Sequence, residues 1–199
     1  MKEPTARYDE DLDHSIWEDI LDFAKIFLGL GLTILILSVF VVKPVMVSGR
    51  SMYPTFESGE RGATNILGLT INGLHRFDIV TARVTGQEGE TETVIKRVIA
   101  LPGETVECRD GKVCIDGKRL KEKYLDTEYR HKFESRYGFF TADFEPVTLA
   151  EDEYFLMGDN RPVSLDSRDF GPVESGRITA RGFITFFPLE KFGRQTDFF

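Results

Sequence analysis

A single long apolar run, Ile26–Val42, constrains the architecture of this chain more than any other feature of its sequence. The run contains no charged residue, and Lys25 and Lys43 bound it. As a helix it would extend about 25 Å, against a bilayer hydrocarbon core of about 30 Å. An amphipathic lead-in that begins at the capping box Ser15-Ile16-Trp17-Glu18 adds length, and Pro44 stops the helix. The sequence therefore predicts one transmembrane helix.

Two other interpretations of this run fit less well. A buried core helix normally alternates apolar and polar faces, and this run does not. A cleaved secretory signal has a basic start and a shorter apolar centre, whereas residues 1–25 carry eight acids against three bases. We expect an acidic N-terminal segment over residues 1–25, a transmembrane helix over residues 26–43, and a β-rich domain over residues 44–199. The flanking basic residues are too evenly divided to decide the orientation.

The sequence after Pro44 changes to short segments of strand character separated by turn residues. Strands are predicted over residues 77–84, 91–101, 105–115 (as a hairpin), 154–157 and 178–187. Turns recur about every ten residues, which favours an antiparallel sheet. The predicted fold class is therefore mostly β, a curled, barrel-like antiparallel domain preceded by one transmembrane α-helix. The charged and aromatic stretch 121–147 predicts a long loop packed by its own rings.

Charge excludes one class of partner. The chain has a formal net charge of −8, and the N-terminal segment carries most of that excess. Phosphate backbones are bound by basic faces, so we expect no nucleic-acid partner. Seventeen phenylalanines supply enough apolar mass for a compact core.

The two cysteines, Cys108 and Cys114, flank an Asp110-Gly111 turn signal. A three-residue loop would place them opposite each other across the strands, where a disulfide is feasible. A two-residue loop would place them on opposite faces of the hairpin, as free thiols packed like small hydrophobes. The spacing alone leaves both alternatives open.

Ser51 lies nine residues after the end of the apolar run. A hydroxyl nucleophile so close to a bilayer suggests chemistry on a membrane-associated substrate, provided that a base exists. Lys96 is the candidate, because strand alternation places it on one face with Val94 and Val98. Burial on that face would lower its pKa until it could take a proton from a hydroxyl. The alternative is an edge-strand lysine that extends outward into solvent.

A third segment, Gly158–Arg168, is dense in polar groups and directly follows the apolar strand predicted over residues 154–157. Its turn-forming composition also fits a solvated loop. Loops that leave core strands nevertheless often carry functional residues. We therefore treat this segment as the third part of a candidate site.

Taken together, these three segments resemble the bacterial type I signal peptidases, the membrane-bound serine–lysine leader peptidases, in their short Gram-positive-like form. The resemblance runs from about Ile26 to Gly193. Its motif residues are Gly49, Ser51, Met52, Pro54 and Thr55, then Lys96–Gly103, then Gly158–Arg161, Ser164, Asp166–Arg168 and Gly171.

The resemblance implies a role for each matched position. Ser51 is similar to the nucleophile, Lys96 to the general base, and Ser164 to the hydroxyl that orients the lysine amine. The residues implied as a supporting salt-bridge shell are Asp159, Asp166, Arg168 and Arg97. The Ser51 backbone N–H is implied as one oxyanion donor. Gly49 occupies the position at which some members carry a serine hydroxyl as second donor, which leaves a backbone N–H as the candidate there.

The resemblance also implies an activity and a location. The family removes N-terminal signal peptides from exported preproteins, cutting after small residues, with its catalytic domain on the extracytoplasmic side of the plasma membrane. The acidic segment would then be cytoplasmic, the partners would be preproteins and the lipid bilayer, and no cofactor or metal is implied. An oxidising compartment favours a Cys108–Cys114 disulfide. We also hypothesise that Met52, Tyr53 and Phe56 are exposed and face the lipid.

Three competing functions remain to be tested. A Ser-His-Asp hydrolase would need His75 or His131, because His14 precedes the apolar run, and Ser51 lacks the GxSxG elbow. Self-cleaving repressor proteases share the serine–lysine dyad but carry a DNA-binding domain, which is not visible in this sequence. A membrane-anchored β module without activity would have no need for a lysine in an apolar strand.

Overall fold

The computed structural model describes residues 6–86, 89–193 and 195–196, and the chain divides into two compact units, residues 1–41 and 42–199. The first unit contains helix α1, Ala6–Phe40, whose side chains from residue 16 to residue 36 are all exposed. Of the helices formed by the described residues, none has both the length and the apolarity needed to cross a bilayer. The side chains of residues 37–40, which belong to the predicted span, lie outside the described part, as do residues 1–5.

The second unit is built on antiparallel strands, which confirms the predicted fold class at that level. The strands are β1 Val42–Met46, β2 Arg61–Asn65, β3 Ile79–Thr85, β4 Thr91–Ala100, β5 Thr105–Arg109, β6 Lys112–Ile115, β7 Lys118–Arg119, β8 Phe144–Thr148, β9 Glu153–Met157, β10 Val173–Glu174, β11 Ile178–Phe187 and β12 Gln195–Thr196. The helices after α1 are α2 Ile66–Asn72, α3 Thr127–Tyr137 and α4 Ser167–Phe170, with short 3-10 turns at Ser175–Arg177 and Leu189–Lys191.

The strands form two sheets. The larger sheet has the order β1-β2-β11-β3-β4-β9-β10, with β12 against β11, and the smaller has the order β7-β6-β5-β8. The prediction of a barrel-like domain is therefore wrong in that respect, because the described strands form two sheets and no closed barrel. The five predicted strand segments coincide with β3, β4, the β5–β6 hairpin, β9 and β11 to within two residues.

Strand β4 is buried on both of its faces where it approaches its C-terminal end. Alternate side chains of a strand point to opposite faces. Accordingly, Val98 packs in a cluster with Val80 and Leu156, whereas Ile99 packs in a different cluster with Phe155 and residues of the smaller sheet. A strand enclosed in this way holds its side chains in fixed directions. The two buried polar residues of β4, Lys96 and Arg97, therefore point to opposite faces.

A third apolar cluster lies beneath the segment that carries Ser51. It contains Met52, Phe56 and Phe183, and the rings of the two phenylalanines lie 4.5 Å apart. Met52 is only 2% exposed and Phe56 is fully buried. The hypothesis that these two side chains face lipid is therefore wrong, because they anchor the segment to the domain core.

The cysteine hairpin closes with the two-residue turn Asp110-Gly111, in which both residues have positive φ. This register places Cys108 opposite Val113 and Cys114 opposite Glu107, on different faces of the hairpin. Both thiols are free. The predicted disulfide is therefore not formed, because the shorter of the two possible loops is the one adopted.

The stretch predicted as a long loop contains α3 and β8 instead. Asp126 caps α3 by accepting a hydrogen bond from the Tyr129 N–H at 2.7 Å, and Gly138 ends it in a left-handed conformation. None of its residues is fully buried, and its only stripe is the narrow one formed by Tyr129, Phe133 and Tyr137 at four-residue spacing. This stripe and the two caps are the sequence signals that could have revealed the helix.

Candidate active site

Ser51 lies in a turn after β1, and the loop that follows β9 holds this turn in place. The Asn160 N–H donates to the Ser51 carbonyl, and the Asn160 side-chain amide donates to the Arg50 carbonyl, both at 2.9 Å. A further bond runs from the Thr55 hydroxyl to the Asp159 carboxylate at 2.5 Å. The candidate nucleophile is therefore fixed on both sides by residues more than 100 positions away in sequence.

Lys96 lies on β4 opposite Val80 and is only 3% exposed. Loss of hydration on burial lowers the pKa of its amine from 10.5 to about 8, against the opposing charge of Asp166. Its Nζ donates to the Ser164 Oγ at 3.1 Å. A buried lysine with this pKa is neutral in part near neutral pH, which is the state a general base requires.

Ser164 lies beside the Asp166 carboxylate and helps lower its pKa. Asp166 also accepts a hydrogen bond from the Gly158 N–H at 3.0 Å. Both carboxylate oxygens of Asp166 are 2.8 Å from Arg168 nitrogens. Burial opposes ionisation of Asp166, but the Arg168 contacts and these hydrogen bonds outweigh it and lower its pKa. Ser164 is thus held so that its oxygen faces the lysine amine.

Arg97 and Asp159 form a separate ion pair on the other face of β4. Two parallel bonds of 2.9 and 2.7 Å join them, and both side chains are buried. Arg97 also donates to the Phe77 carbonyl at 2.8 Å and lies over the Tyr124 ring, 4.1 Å from its centroid. The predicted supporting residues are therefore brought together as two ion pairs, Arg97–Asp159 and Arg168–Asp166, and not as one cluster.

Gly158 occupies a position where no side chain fits. A Cβ placed there would lie 2.2 Å from the Ser164 Oγ and 2.4 Å from the Ser51 carbonyl oxygen. Both distances are far below ordinary van der Waals contact. The absence of a side chain at Gly158 therefore lets one loop contact the candidate nucleophile segment and the lysine partner together.

Ser51 and Lys96 line a common cleft of about 570 Å³. Its walls are the segment that includes β1 and the N-terminal half of β4, with apolar side chains such as Val47 and Ile95. In the described part of the chain, β1 pairs only with β2, and β9 pairs with β4 only from Arg97 onward. Two strand edges therefore border the cleft, and no further strand of the described residues pairs with them there.

Gly49, the predicted second oxyanion position, is directed elsewhere. Its N–H donates to the Ser58 hydroxyl at 3.3 Å, and its φ of +83° is one that glycine adopts without strain. Gly49 does not line the cleft, whereas Ser48 and Ser51 do. The Gly49 N–H thus has a partner within the protein, and its role as a second oxyanion donor stays a prediction.

The histidines of the competing triad lie apart from Ser51. His75 is exposed, with its Nδ1 3.8 Å from Asp78, and His131 is exposed on α3. Neither lines the cleft, and the side chain of His14 lies outside the described residues. Across the same described residues, no group of three or more His, Cys, Asp or Glu is arranged to hold a metal ion.

The site contains residues for which the sequence predicted no role. Arg161 is 1% exposed; it donates to the Gly158 carbonyl at 3.1 Å and to the Tyr124 hydroxyl at 2.7 Å, and it pairs with Glu122. Burial alone would lower the pKa of Arg161, but Glu122 outweighs it and raises that pKa. Asn160 and Arg161 were visible as motif positions, whereas Glu122 and Tyr124 lie in a stretch that carries no motif.

Comparison with known proteins decides the family. The sequence profile described as signal peptidase, peptidase S26, matches residues 20–187. The chain belongs to this signal peptidase family. The chain is 33% identical to signal peptidase I S of Bacillus subtilis (strain 168), over 90% of this chain and 95% of that protein. It is 37% identical to signal peptidase I T of the same strain, over 88% and 89% of the two chains.

A solved structure is also similar. The crystal structure of a signal peptidase I from Enterococcus faecalis V583 is 38% identical to this chain. The match covers 54% of this chain and 95% of that one, with a TM-score of 0.48.

Proposed function

We propose that this chain is a membrane-bound serine endopeptidase that removes N-terminal signal peptides from exported preproteins. Ser51 is the nucleophile and Lys96 the general base, and cleavage follows small residues. The observation that carries the proposal is Lys96 itself, a buried amine with a pKa of about 8 in the cleft that also contains Ser51. Membership of the signal peptidase family and the relatives named signal peptidase I support the substrate class.

In the proposed first step, the neutral Lys96 amine takes the proton of the Ser51 hydroxyl as Oγ attacks the scissile carbonyl carbon. The negative charge that develops on the carbonyl oxygen is stabilised by the Ser51 N–H. Collapse of this intermediate breaks the peptide bond, and the protonated Lys96 gives its proton to the departing amine. Water then attacks the acyl ester with Lys96 again as base, which releases the signal peptide and restores the Ser51 hydroxyl.

Ser164 has the orienting role in this mechanism. Its Oγ accepts a hydrogen bond from the Lys96 amine, and its side chain lies close enough to the Asp166 carboxylate to help lower the pKa of Asp166. Such an arrangement limits rotation of the amine and directs its lone pair away from Ser164, because that contact uses an N–H. Nζ hydrogen-bonds Ser164 and not Ser51 in this structure, and we propose that substrate binding brings Nζ and the Ser51 hydroxyl together.

The two strand edges along the cleft support an extended peptide as substrate. An extended chain binds a free edge through main-chain hydrogen bonds, while alternate side chains enter pockets. The lining contributed by Val47, Met52 and Ile95 is apolar. We therefore propose that the end of the signal peptide lies as a strand between the β1 segment and β4.

We further propose that residues 26–43 anchor the enzyme in the plasma membrane as a single span, with residues 44–199 on the extracytoplasmic side. Supporting this, large apolar side chains on α1 are highly exposed, including Phe27 and Leu28 at 72% and 75%. A contiguous exposed apolar surface of this kind favours a lipid environment. Confining enzyme and substrate to one bilayer raises their effective concentration.

Cleavage of a model preprotein in detergent micelles tests the catalytic assignment. Wild type is expected to cut once, after a small residue, as read by N-terminal sequencing of the product. Ser51→Ala and Lys96→Ala should each lower kcat by at least about a thousand-fold, because removal of a member of such a catalytic unit has effects of that order.

Ser135→Ala and Lys118→Ala, both at exposed positions, are the matched controls and should retain wild-type rates. Full activity in Lys96→Ala would place the base elsewhere. An inert wild type on several preproteins would favour an anchored module without activity.

A further inference from the structure

Tyr129 on helix α3 contacts the segment that carries Ser51. The ring of Tyr129 packs edge-on against Tyr53, with ring centroids 5.1 Å apart, and against Phe140 at 6.0 Å. Its hydroxyl donates to the Asn160 Oδ1 at 3.1 Å. Tyr53 is two residues after Ser51, so this contact reaches the segment directly as well as through Asn160.

Asn160 is oriented by the bonds that it makes. Its side-chain NH₂ donates to the Arg50 carbonyl at 2.9 Å, and its backbone N–H donates to the Ser51 carbonyl at 2.9 Å. An amide group whose oxygen and nitrogen exchanged places would present an acceptor to the Arg50 carbonyl, which is itself an acceptor. The Arg50 carbonyl thus determines the amide orientation, and the Tyr129 hydroxyl holds the oxygen end of the amide in place.

We propose that Tyr129 is a positioning residue for Ser51, acting through the side-chain amide of Asn160. The inference rests on the proposed peptidase function, since it concerns the nucleophile of that reaction. It assigns a function to α3, a helix with no fully buried residue. The helix then serves to present one hydroxyl to the loop that holds Arg50 and Ser51.

Tyr129→Phe tests the proposal in the full-length protein in detergent micelles, because phenylalanine retains the ring contacts with Tyr53 and Phe140. We expect kcat for a model preprotein to fall about five-fold, as for loss of one hydrogen bond, with KM unchanged. The midpoint of the pH–rate profile should not move, since Tyr129 does not contact Lys96. Tyr137→Phe, on the same helix and half exposed, is the matched control and should behave as wild type.

A double-mutant cycle separates positioning through Asn160 from a general effect on the fold. In an Asn160→Ala background, Tyr129→Phe should cause no further loss of kcat, because its partner is already absent. An unchanged kcat in Tyr129→Phe would overturn the proposal, as would losses that multiply in the double variant. A shift of the pH midpoint would also overturn it, because it would show that the loosened loop had changed the surroundings of Lys96.

Hydrogen–deuterium exchange gives a readout that does not depend on peptidase activity. Tyr129→Phe should increase exchange in peptides spanning residues 49–53 and 158–162, and Tyr137→Phe should not. If wild type cleaves no preprotein, the proposed function fails, and faster exchange would still support the positioning contact. Unchanged exchange in those peptides would overturn it whether or not the protein is active.

Discussion

Lys96 and Arg97 are adjacent residues of one strand with opposite electrostatic requirements. In the proposed mechanism Lys96 acts in its neutral form, and burial beside Val80 and Val98 favours loss of its proton. Arg97 remains charged, and its burial is compensated by two bonds to Asp159. Strand alternation separates the two environments, so one segment carries the proposed base on one face and a structural cation on the other.

The pKa of Lys96 predicts how activity depends on pH. The amine is protonated below about pH 8 and neutral above it, so kcat/KM should rise with pH through a midpoint near 8. Initial rates on a model preprotein between pH 6 and pH 10, with folding monitored by circular dichroism, measure this midpoint. A rate that stays flat over that range would contradict Lys96 as the base.

At the scale of elements, the loop after β9 holds the site together. It supplies Asp159 to Arg97 and Thr55, Asn160 to the Ser51 segment, and Ser164 to Lys96. These bonds link segments that are distant in the chain. The loop is therefore a structural component of the nucleophile segment as well as a source of polar groups.

Asp159→Ala should destabilise the protein strongly. The substitution leaves the buried Arg97 guanidinium without its partner, which costs about 3–5 kcal/mol in free energy of unfolding. Chemical denaturation followed by intrinsic fluorescence measures the change. Asp152→Ala, at an exposed position, is the control and should change stability by less than about 0.5 kcal/mol. Equal stability of the two variants would show that the Arg97–Asp159 pair is not needed for folding.

The two cysteines of the β5–β6 hairpin should differ in reactivity. Burial, aided by Asp143, raises the pKa of the Cys108 thiol to about 12, whereas Cys114 is partly exposed. Thiolates are the reactive form. Iodoacetamide at pH 8 should therefore modify Cys114 well before Cys108 in the folded protein, as peptide mass spectrometry would detect. Reducing agent should leave the thermal unfolding midpoint unchanged. A lower midpoint in reducing agent would show that a Cys108–Cys114 disulfide does form.

The elements that the sequence predicted well are those with strong local signals. Strands β3, β4, β9 and β11 combine apolar runs with bounding turns, and their positions follow from these patterns. Helix α3 has only a narrow aromatic stripe among charged residues, which is a weak signal that a packed loop could also give. In the same way Lys96 could be found from alternation, whereas Tyr129 could not, because its contact with Asn160 depends on how a surface helix packs.

At the scale of the whole molecule, all three apolar clusters lie within residues 42–199. We therefore predict that a chain lacking residues 1–41 folds and cleaves a model preprotein in detergent micelles at the wild-type kcat. It should no longer sediment with vesicles of phosphatidylethanolamine and phosphatidylglycerol.

A chain that lacks only residues 1–15 is the control for this deletion and should still sediment. Sedimentation of the chain without residues 1–41 would place the membrane contact in residues 42–199.

The bonds from Asp159 and Asn160 to the Ser51 segment have a consequence for biosynthesis. A ribosome completes the nucleophile segment and Lys96 long before it reaches the loop that follows β9. Until residues 158–168 emerge and fold back, the nascent chain has neither Ser164 beside Lys96 nor the Asn160 amide that holds the Ser51 turn. On the proposed assignment, the order of translation therefore delays a complete site until this loop has folded.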